Sequence, residues 1–566
     1  PSMARRPGAA GPGGRLLLTA WCCTLQRLAG WASAATHRPF TAAPRLHATA
    51  RALATAHSSV ADDGFAAGFV AALTGPEARS TIFAVSSGAG VRSGVAVIRV
   101  SGPDARLSLE RMTARGRREP SLGWLQPRMA TLLKLLSPDS DEKLDSALVL
   151  WFPAPRSFTG EDVAELHVHG GRAVIASVLG ALGSLPGHRL AERGEYTRRA
   201  YLNGRMDLTE VEGLSDLLAA NTDAQRRQAL AQMGGHARTT FDGWRARLLD
   251  CLAHTEAVID FGEDSDDLGG DVLAAVSPRV ATLAAEMRVA LNNARRGELL
   301  RDGPSAVIVG APNAGKSSLL NRLAQRPAAI VTPIAGTTRD VLEVQLELSG
   351  LPLRVYDTAG LRDEAQADVI EAEGMRRARA LVKEAPMRLL VADVSAGQVP
   401  SLAGLLNLIS GDKIAAAAAL EATDANAGGE GDPLDGALLV LNKIDALPPG
   451  TSPPRVSGVP FENQFAISCE TGQGLDTLLA ALEARVRALV EGEGAGETAL
   501  VTRARHREHL EQAVGALERF ARLDGVMVDL AAEELRIAAQ EVGKVTGRVH
   551  VEEMLDIIFR DFCIGK

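Results

Sequence analysis

The stretch Ser305-Ala-Val-Ile-Val-Gly310-Ala-Pro-Asn-Ala-Gly315-Lys316-Ser317 decides the fold of the central part of this 566-residue chain. A short apolar run, typical of a buried parallel strand, leads into a glycine-containing loop, and apolar residues at helical spacing follow. In such a loop, backbone N–H groups surround a β-phosphate, Lys316 adds a positive charge, and the Ser317 hydroxyl can bind Mg²⁺. The sequence therefore predicts a P-loop nucleotide-binding domain.

Three further motifs follow in the order that a GTPase domain requires. Thr338, in Gly336-Thr-Thr-Arg-Asp340, can complete the Mg²⁺ shell, and Asp357, in Asp357-Thr-Ala-Gly360, can hold a water of the metal. Asp445, in Asn442-Lys-Ile-Asp445, can accept two hydrogen bonds from guanine, a donor pair that adenine lacks. Ser468-Cys-Glu470 then closes the base pocket, so we expect GTP. The predicted nucleotide-binding residues are Asn313, Ala314, Gly315, Lys316, Ser317, Ser318, Thr337, Thr338, Asp357, Thr358, Ala359, Gly360, Asn442, Lys443, Asp445, Ser468, Cys469 and Glu470, with Mg²⁺ on Ser317 and Thr338.

The residue after Gly360 bears on hydrolysis. Ras-type GTPases place a water-orienting glutamine there, whereas this chain has Leu361, which cannot orient water. Hydrolysis then needs another polar group and another source of positive charge. The side-chain carbonyl of Asn313 can bind a monovalent cation beside the phosphates, and carboxylates within 368–374 can orient the water.

Charge divides the chain into two pieces. The formal net charge is −8, yet the residues before Asp62 contain seven arginines and no Asp, Glu or Lys. This composition is typical of a mitochondrial transit peptide, so we expect residues 1–79 to be a transit peptide with a disordered lead and the protein to reside in the mitochondrial matrix. The alternative is a disordered extension that reflects nucleotide composition. The remaining chain has 54 basic and 69 acidic residues, or −15, which argues against binding nucleic acid by bulk charge. With no run of 18 apolar residues, no membrane span is expected.

From Thr81 to Lys566 the chain resembles the MnmE/TrmE family of tRNA-modification GTPases, and with its presequence it resembles the mitochondrial members. The resemblance rests on the GTPase motifs together with Ile370-Glu-Ala-Glu-Gly374, Ser157-Phe-Thr-Gly-Glu-Asp162 and His169-Gly-Gly171. It implies activation by K⁺ and a catalytic Glu371, with Glu373 as the alternative. The implied K⁺ ligands, which add Thr332 to the nucleotide-binding residues, are Asn313, Thr332, Ile334 and Thr337.

Residues 80–200 contain strand patterns at 81–85, 94–102, 147–152 and 162–171 and a helical pattern at 173–182, which predict an α+β module. The resemblance implies that this module dimerises and binds a one-carbon tetrahydrofolate of the 5,10-methylene or 5-formyl type. Its implied folate contacts are Arg99, Glu165, Arg205 and the terminal Lys566. Arg205 stands where the bacterial family pattern has lysine, and the charge is kept.

Helical periodicity marks residues 201–301 and 491–566, on either side of a GTPase domain predicted at 302–490. Because each helical piece has an apolar face to bury, the economical interpretation is one helical domain made from both pieces. The predicted fold class is therefore multidomain α/β and α. It comprises an α+β folate-binding N-terminal domain, a discontinuous helical domain and an inserted P-loop (Ras-like) GTPase domain.

Two features of the C-terminal piece are open to alternative interpretations. Cys563, in the Cys-Ile-Gly-Lys tail, is either a contact or reactive thiol near the modified base or a buried tail cysteine. The basic cluster Arg503, Arg505, His506 and Arg507 is either a solvated helix face or a set of contacts to tRNA phosphates.

The resemblance implies a homodimer that modifies the wobble uridine of mitochondrial tRNA together with an FAD-containing MnmG-like protein. The amine added is taurine or glycine, and GTP hydrolysis drives a conformational change. The alternative is a ribosome-assembly GTPase switch of the Era or Der type, which would carry a second GTPase domain or a basic RNA-binding module.

Overall fold

The described residues of the computed structural model begin at Ser80 and cover most of the chain after it. They are residues 80–88, 92–121, 123–261, 268–325, 329–330, 342–357, 384–395, 436–491, 498–523, 527–549, 555, 558–559 and 562–565. Among these residues, no helix is both long and apolar enough to cross a membrane.

The N-terminal part is a mixed sheet with helices packed against it, and its described strands have the order β3-β4-β5-β2-β1-β6. All neighbours are antiparallel except β1 and β6, which are parallel. The elements are β1 (Thr81–Val85), β2 (Ser93–Ser101), α1 (Ala105–Met112), α2 (Ala114–Arg118), β3 (Thr131–Leu136), β4 (Lys143–Phe152), β5 (Val163–Gly170), α3 (Arg172–Gly183), β6 (His188–Leu190) and α4 (Glu195–Leu202). The strands predicted at 81–85, 94–102, 147–152 and 162–171 are confirmed within one or a few residues.

A helical region follows in the chain. Its elements are α5 (Leu208–Ala219), α6 (Asp223–Met233), α7 (His236–Phe261), α8 (Leu268–Asn292) and α9 (Ala294–Asp302). Two capping boxes set the starts of α5 and α6: Asp207 pairs with Glu210, and Thr222 pairs with Gln225. Each box satisfies N–H groups that a helix start leaves free. The α4 helix crosses the domain boundary predicted at residue 200.

A second sheet carries the predicted phosphate loop, and its described strands have the order β13-β12-β11-β7-β10-β9-β8. Its elements are β7 (Ser305–Gly310), α10 (Lys316–Ala324), β8 (Ala329–Ile330), β9 (Leu342–Leu348), β10 (Leu351–Asp357), β11 (Met387–Asp393), β12 (Ala437–Asn442), β13 (Gln464–Ala466) and α11 (Leu475–Glu491). The strands β13, β12, β11, β7 and β10 are parallel, so their carboxyl ends meet at one edge. Ligands of such sheets bind at that edge.

Helices from both sides of this sheet domain share one apolar core. After α11 come α12 (Ala504–Phe520) and α13 (Val528–Thr546), which pack with α7 and α8. Phe241, Leu248, Met287, Leu510 and Leu535 are among the side chains that are fully buried there. Each such burial stabilises the fold by about 1.5–3 kcal/mol.

Most of the basic cluster at 503–507 lies inside the protein, although the side chain of Arg507 is 38% exposed. The side chain of His506 is fully buried and that of Arg505 is 14% exposed, and both contact the carboxylate of Glu212 on α5. Arg503 is bound to Asp216, and Arg507 is paired with Glu298. For Arg505 and His506, both interpretations of the cluster, as a solvated face or as a phosphate-binding patch, were wrong.

Candidate nucleotide site

The phosphate loop lies between the central strand β7 and helix α10, at the edge where the parallel strands end. Asn313 and Gly315 both have a positive φ, of 62° and 96°. A Cβ at position 315 would lie 2.1 Å from Nδ2 of Asn442, so this position requires glycine for both its conformation and its space. Ala314 is buried beneath the loop, whereas Asn313 and Ser318 are exposed.

Lys316 and Ser317 begin α10 and face the inside of the loop and the end of β10. Nζ of Lys316 donates hydrogen bonds to the carbonyl oxygens of Gly310 and Ala311, at 2.9 and 3.0 Å. Partial burial lowers the pKa of Lys316, and the charge of Asp357 opposes that shift. Oγ of Ser317 donates to Oδ2 of Asp357 at 2.8 Å. A hydroxyl oxygen that can bind Mg²⁺ thus lies beside a carboxylate that can hold a water of the metal, and oxygen atoms are the partners that Mg²⁺ prefers.

Asn442 connects the phosphate loop to the base side of the site. It ends β12, is almost fully buried, and donates from Nδ2 to the carbonyl oxygen of Ala314 at 2.9 Å. Its Oδ1 accepts from the backbone N–H of Cys469 at 3.2 Å. The amide of Asn442 therefore holds two loops in fixed positions, while the exposed carboxylate of Asp445 remains accessible to a base.

The loop after β13 carries the second predicted base-pocket motif. Ser468 is fully buried, and its Oγ accepts from the backbone N–H of Thr471 at 3.0 Å. Cys469 is buried, and burial raises the pKa of its thiol. Glu470 is exposed.

Two residues of the site were missed by the sequence analysis. Asp393 ends β11 beside Asn442 and accepts from Nζ of Lys443 at 2.6 Å. Burial opposes ionisation of Asp393, but the bond from Lys443 and those from Ser395 lower its pKa overall. Arg322 on α10 donates to the carbonyl oxygens of Cys469 and Glu470. A carboxylate at the end of a buried strand was a usable signal for Asp393, whereas Arg322 offered no motif.

The structure thus brings together the phosphate loop, Asp357, Asn442 and the 468–470 loop. Nine predicted site residues lie outside the described residues, namely Thr332, Ile334, Thr337, Thr338, Thr358, Ala359, Gly360, Glu371 and Lys566.

A second candidate site lies on the N-terminal sheet. Arg99 on β2 and Glu165 on β5 are cross-strand partners, and Nε and Nη2 of Arg99 both donate to Oε1 of Glu165, at 3.1 and 2.9 Å. The guanidinium carbon lies 5.3 Å from the ring centre of Phe158 and 5.7 Å from that of Tyr196. Such contacts fix the guanidinium plane. The result is a polar site with aromatic walls, two of whose residues, Phe158 and Tyr196, were not predicted.

The chain end packs beside the same sheet. Ile564 forms a β-bridge with Arg193. A Cβ added at Gly565 would lie 2.2 Å from the carbonyl oxygen of Val85, so the tail backbone is in close contact with the end of β1. Cys563 is exposed, so its interpretation as a buried tail cysteine is wrong. Arg205 is exposed and packs its stem against Gly160. The described tail residues therefore lie on the domain that carries Arg99 and Glu165.

The parallel sheet, the phosphate loop and the base-side motifs define a P-loop guanine-nucleotide-binding protein. Two family models match the chain: "GTP-binding protein TrmE N-terminus" over residues 81–205 and "MnmE helical domain" over residues 208–563. The chain therefore belongs to the MnmE/TrmE family of tRNA modification GTPases and is a GTP-hydrolysing enzyme of that family.

Full-length relatives agree with this assignment. The chain is 48% identical to a tRNA modification GTPase MnmE of Parvibaculum lavamentivorans, over 86% of this chain and all of the relative. It is 46% identical to the Homo sapiens protein named 5-taurinomethyluridine-[tRNA] synthase subunit GTPB3, mitochondrial, over 87% of this chain and 94% of the relative. The Danio rerio protein of the same name is 47% identical, over 86% and 93%.

Proposed function

We propose that this protein is a mitochondrial GTPase that helps to modify the wobble uridine of tRNA, at position 34, to a 5-taurinomethyl or 5-carboxymethylaminomethyl type. The observation that carries the proposal is one chain holding both a guanine-nucleotide site and the Arg99–Glu165 site, with its own tail packed beside the latter. Relatives named for mitochondrial taurinomethyluridine synthesis, at 46–47% identity, support the compartment and the product class.

The N-terminal site is proposed to bind a one-carbon tetrahydrofolate. The guanidinium of Arg99, held between Glu165 and two aromatic rings, offers N–H donors and a flat face, and both suit a heteroaromatic ring. Arg205 and Lys566 would contribute positive charge for the acidic tail of the folate. When bound, the folate supplies a one-carbon unit, and an FAD-containing MnmG-like partner completes the chemistry.

The nucleotide site is proposed to hydrolyse GTP with Mg²⁺ and K⁺. Ser317 and Asp357 would hold Mg²⁺ and its water, with Thr338 completing the shell, and Mg²⁺ neutralises phosphate charge when bound. Asn313 has an exposed side chain and a positive φ. It would hold K⁺ together with Thr332, Ile334 and Thr337. Glu371 would orient the attacking water. Equal GTP hydrolysis rates in Na⁺ and K⁺ would refute the cation site.

We also infer that the domains are arranged as the predicted boundaries indicate. A GTPase domain at 302–490 inserted into a helical domain, 201–301 with 491–566, is supported by the shared core of α7, α8, α12 and α13. The N-terminal domain, 80–200, would form the homodimer. An Era- or Der-type switch is disfavoured because the TrmE N-terminal model matches residues 81–205.

The decisive experiment measures wobble-uridine modification in mitochondrial tRNA by mass spectrometry after depletion of the protein. We expect loss of the modified nucleoside and its recovery when the wild-type chain is restored. A Lys316→Ala chain, whose hold on the phosphates is weakened, should not restore it. Unchanged modification in depleted cells would exclude the proposed function.

A further inference from the structure

Helices α5 and α6, with the turn 220–222 between them, form a corner that contacts the β9–β10 hairpin of the nucleotide-binding domain and the two chain segments that lead into and out of that domain. We call residues 208–233 the α5–α6 corner. Its first contact is with the segment that leads into β7: Nε2 of Gln225 donates to the carbonyl oxygen of Arg301 at 2.7 Å, and Nε of Arg301 donates to Asp216 at 2.9 Å. Arg301 lies four residues before the start of β7. The corner therefore holds the root of the strand that ends in the phosphate loop.

The second contact is with the segment that leaves the nucleotide-binding domain after α11. The side-chain amide of Gln228 donates to the carbonyl oxygen of Ala499 at 2.6 Å and accepts from its N–H at 3.0 Å. Oγ1 of Thr502 donates to Gln232 at 3.1 Å. These bonds imitate strand pairing, so the corner fixes the outgoing segment as well.

The third contact is with the hairpin β9–β10. The N–H of Ala224 donates to the carbonyl oxygen of Gly350 at the hairpin turn, at 3.3 Å, and Asn221 donates to Oε1 of Gln345 at 2.8 Å. The other end of β10 is Asp357, which accepts from Ser317 of the phosphate loop. One strand of seven residues thus connects the corner to Asp357, which is proposed to hold a water of Mg²⁺.

Asp216 is the electrostatic centre of the corner. Its Oδ1 accepts from Arg301 at 2.9 Å and from Arg503, at the start of α12, at 2.7 Å. These two cations flank the nucleotide-binding domain in the chain, and the Asp216 side chain between them is only 14% exposed. Loss of its charge would leave two guanidinium groups in a half-buried place without their shared counter-charge.

The seam between the corner and the nucleotide-binding domain is incompletely filled. A pocket of about 200 Å³, half open to solvent, lies there, lined by Asp216, Gln225, Gln228, Arg301, Gln345 and Arg354 among others. Ala224 packs in the apolar core of the nucleotide-binding domain, but the other contacts described across the seam are polar and surround an open pocket. Small shifts of β10 or of the root of β7 can therefore be accommodated there with little change to the apolar core.

We propose that the α5–α6 corner couples the nucleotide state of the GTPase domain to the helical region, with Asp216 as the positioning residue. The inference rests on the proposed function only in that nucleotide turnover drives a conformational change. Ligand-dependent shifts at the end of β10 and at the root of β7 reach the corner through the Gly350, Gln345 and Arg301 contacts, and Asp216 passes them to α12 through Arg503.

The test is hydrogen exchange of the full-length protein, followed by mass spectrometry, with GDP and with a non-hydrolysable GTP analogue in Mg²⁺ and K⁺. We expect peptides within 208–233 to exchange at rates that differ about threefold or more between the two nucleotides. Asp216→Asn should abolish this difference while leaving GDP affinity within about twofold. Asp302→Asn is the matched control. Asp302 lies on the same helix as Arg301 and is the second carboxylate paired with it, so this variant removes one charge partner of Arg301 and leaves Arg503 unaffected.

A milder variant distinguishes a loss of coupling from a general loss of structure. Gln345→Ala removes the exposed hairpin bond to Asn221 and should reduce the nucleotide-dependent difference about twofold without changing the melting temperature. The coupling proposal is overturned if wild-type 208–233 exchanges equally in both nucleotides, or if Asp216→Asn keeps the difference. Since the assay contains no tRNA and no folate, a failure of the proposed function in tRNA modification leaves its outcome unaffected.

Discussion

The nucleotide site and the charge cluster around Glu212 use ionised side chains in opposite ways. At the nucleotide site, the hydrogen bonds of Lys316 to other described residues go to backbone carbonyl groups, and Asp445 is exposed, so their charges are available to a ligand. Glu212 is 1% exposed and accepts from Arg505 at 2.9 Å and His506 at 2.7 Å, so its charge is consumed within the protein. A charged side chain can bind a ligand where no opposite charge is paired with it, and it stabilises the fold where an opposite charge is paired with it.

The largest expected effect tests the cohesive half of this comparison. Glu212→Gln keeps the shape of the side chain but leaves Arg505 buried without its counter-charge, so we expect a loss of about 3–5 kcal/mol in the free energy of unfolding. Urea unfolding followed by circular dichroism measures it. GDP affinity should not change.

Glu511→Gln is the matched control for this variant. Glu511 is 52% exposed and pairs with Arg507 on the same helix, so its loss should cost less than about 1 kcal/mol. Equal midpoints for the two variants would contradict a cohesive role for Glu212.

The second prediction tests the binding half. Lys316→Ala should weaken GDP binding by about 2–3 kcal/mol, or roughly 30–150-fold, because hydrogen bonds to a charged group are lost. The free energy of unfolding should stay within about 0.5 kcal/mol of the wild-type value, since within the described part of the chain the lysine side chain donates to two backbone carbonyls. Fluorescent-nucleotide titration gives the affinity, with Lys134→Ala, an exposed residue of the N-terminal sheet, as control. Unchanged affinity would contradict the assigned role.

The same contrast explains what the sequence could and could not predict. The phosphate loop and Asn442 were predictable because contiguous residues set the backbone conformation and the strand ends. Asn442, however, also joins the loops of Ala314 and Cys469, and this bridging role depends on strand order, which the motif does not contain.

The Glu212 cluster was unpredictable for a related reason. Its partners Arg505 and His506 lie 293 and 294 residues from Glu212 in the sequence. The basic residues within 503–507 were therefore interpreted as a surface cluster. Nothing local marks the buried carboxylate that receives them. On the N-terminal sheet, the Arg99–Glu165 pair came from resemblance, and its cross-strand register and aromatic neighbours came only from the structure.

The third prediction sharpens the comparison through pH. Burial lowers the pKa of His506, so the folded state keeps this ring neutral, whereas the unfolded chain binds a proton near its ordinary pKa of 6.5. Stability is therefore complete above about pH 7 and falls as pH drops below 6.5, by up to about 2 kcal/mol at pH 5.

Glu212 acts in the same direction at lower pH. Burial by itself would raise the pKa of this carboxyl, but the charges of Arg505 and Arg503 and the hydrogen bond from His506 hold it well below its ordinary value. The stability that it contributes is present above about pH 4.5 and is lost under more acidic conditions. Unfolding midpoints measured from pH 8 to pH 5 in wild type and His506→Gln check the first part: the slope should flatten in the variant, and an equal slope would contradict it.

The smallest expected effect concerns a site that combines both uses of charge. Arg99 is paired with Glu165 and yet 16% exposed beside two aromatic rings, so its guanidinium is both held and accessible. Arg99→Lys keeps the charge and the ion pair but loses the planar fork and the stacking face. We expect binding of 5-formyltetrahydrofolate to weaken by about 1 kcal/mol, or roughly fivefold, by calorimetry. Arg106→Lys, on the exposed face of α1, should bind as wild type does. If Arg99→Lys and wild type bind with equal affinity, the guanidinium plane is not what recognises the ring, and the site would then hold its ligand by charge alone.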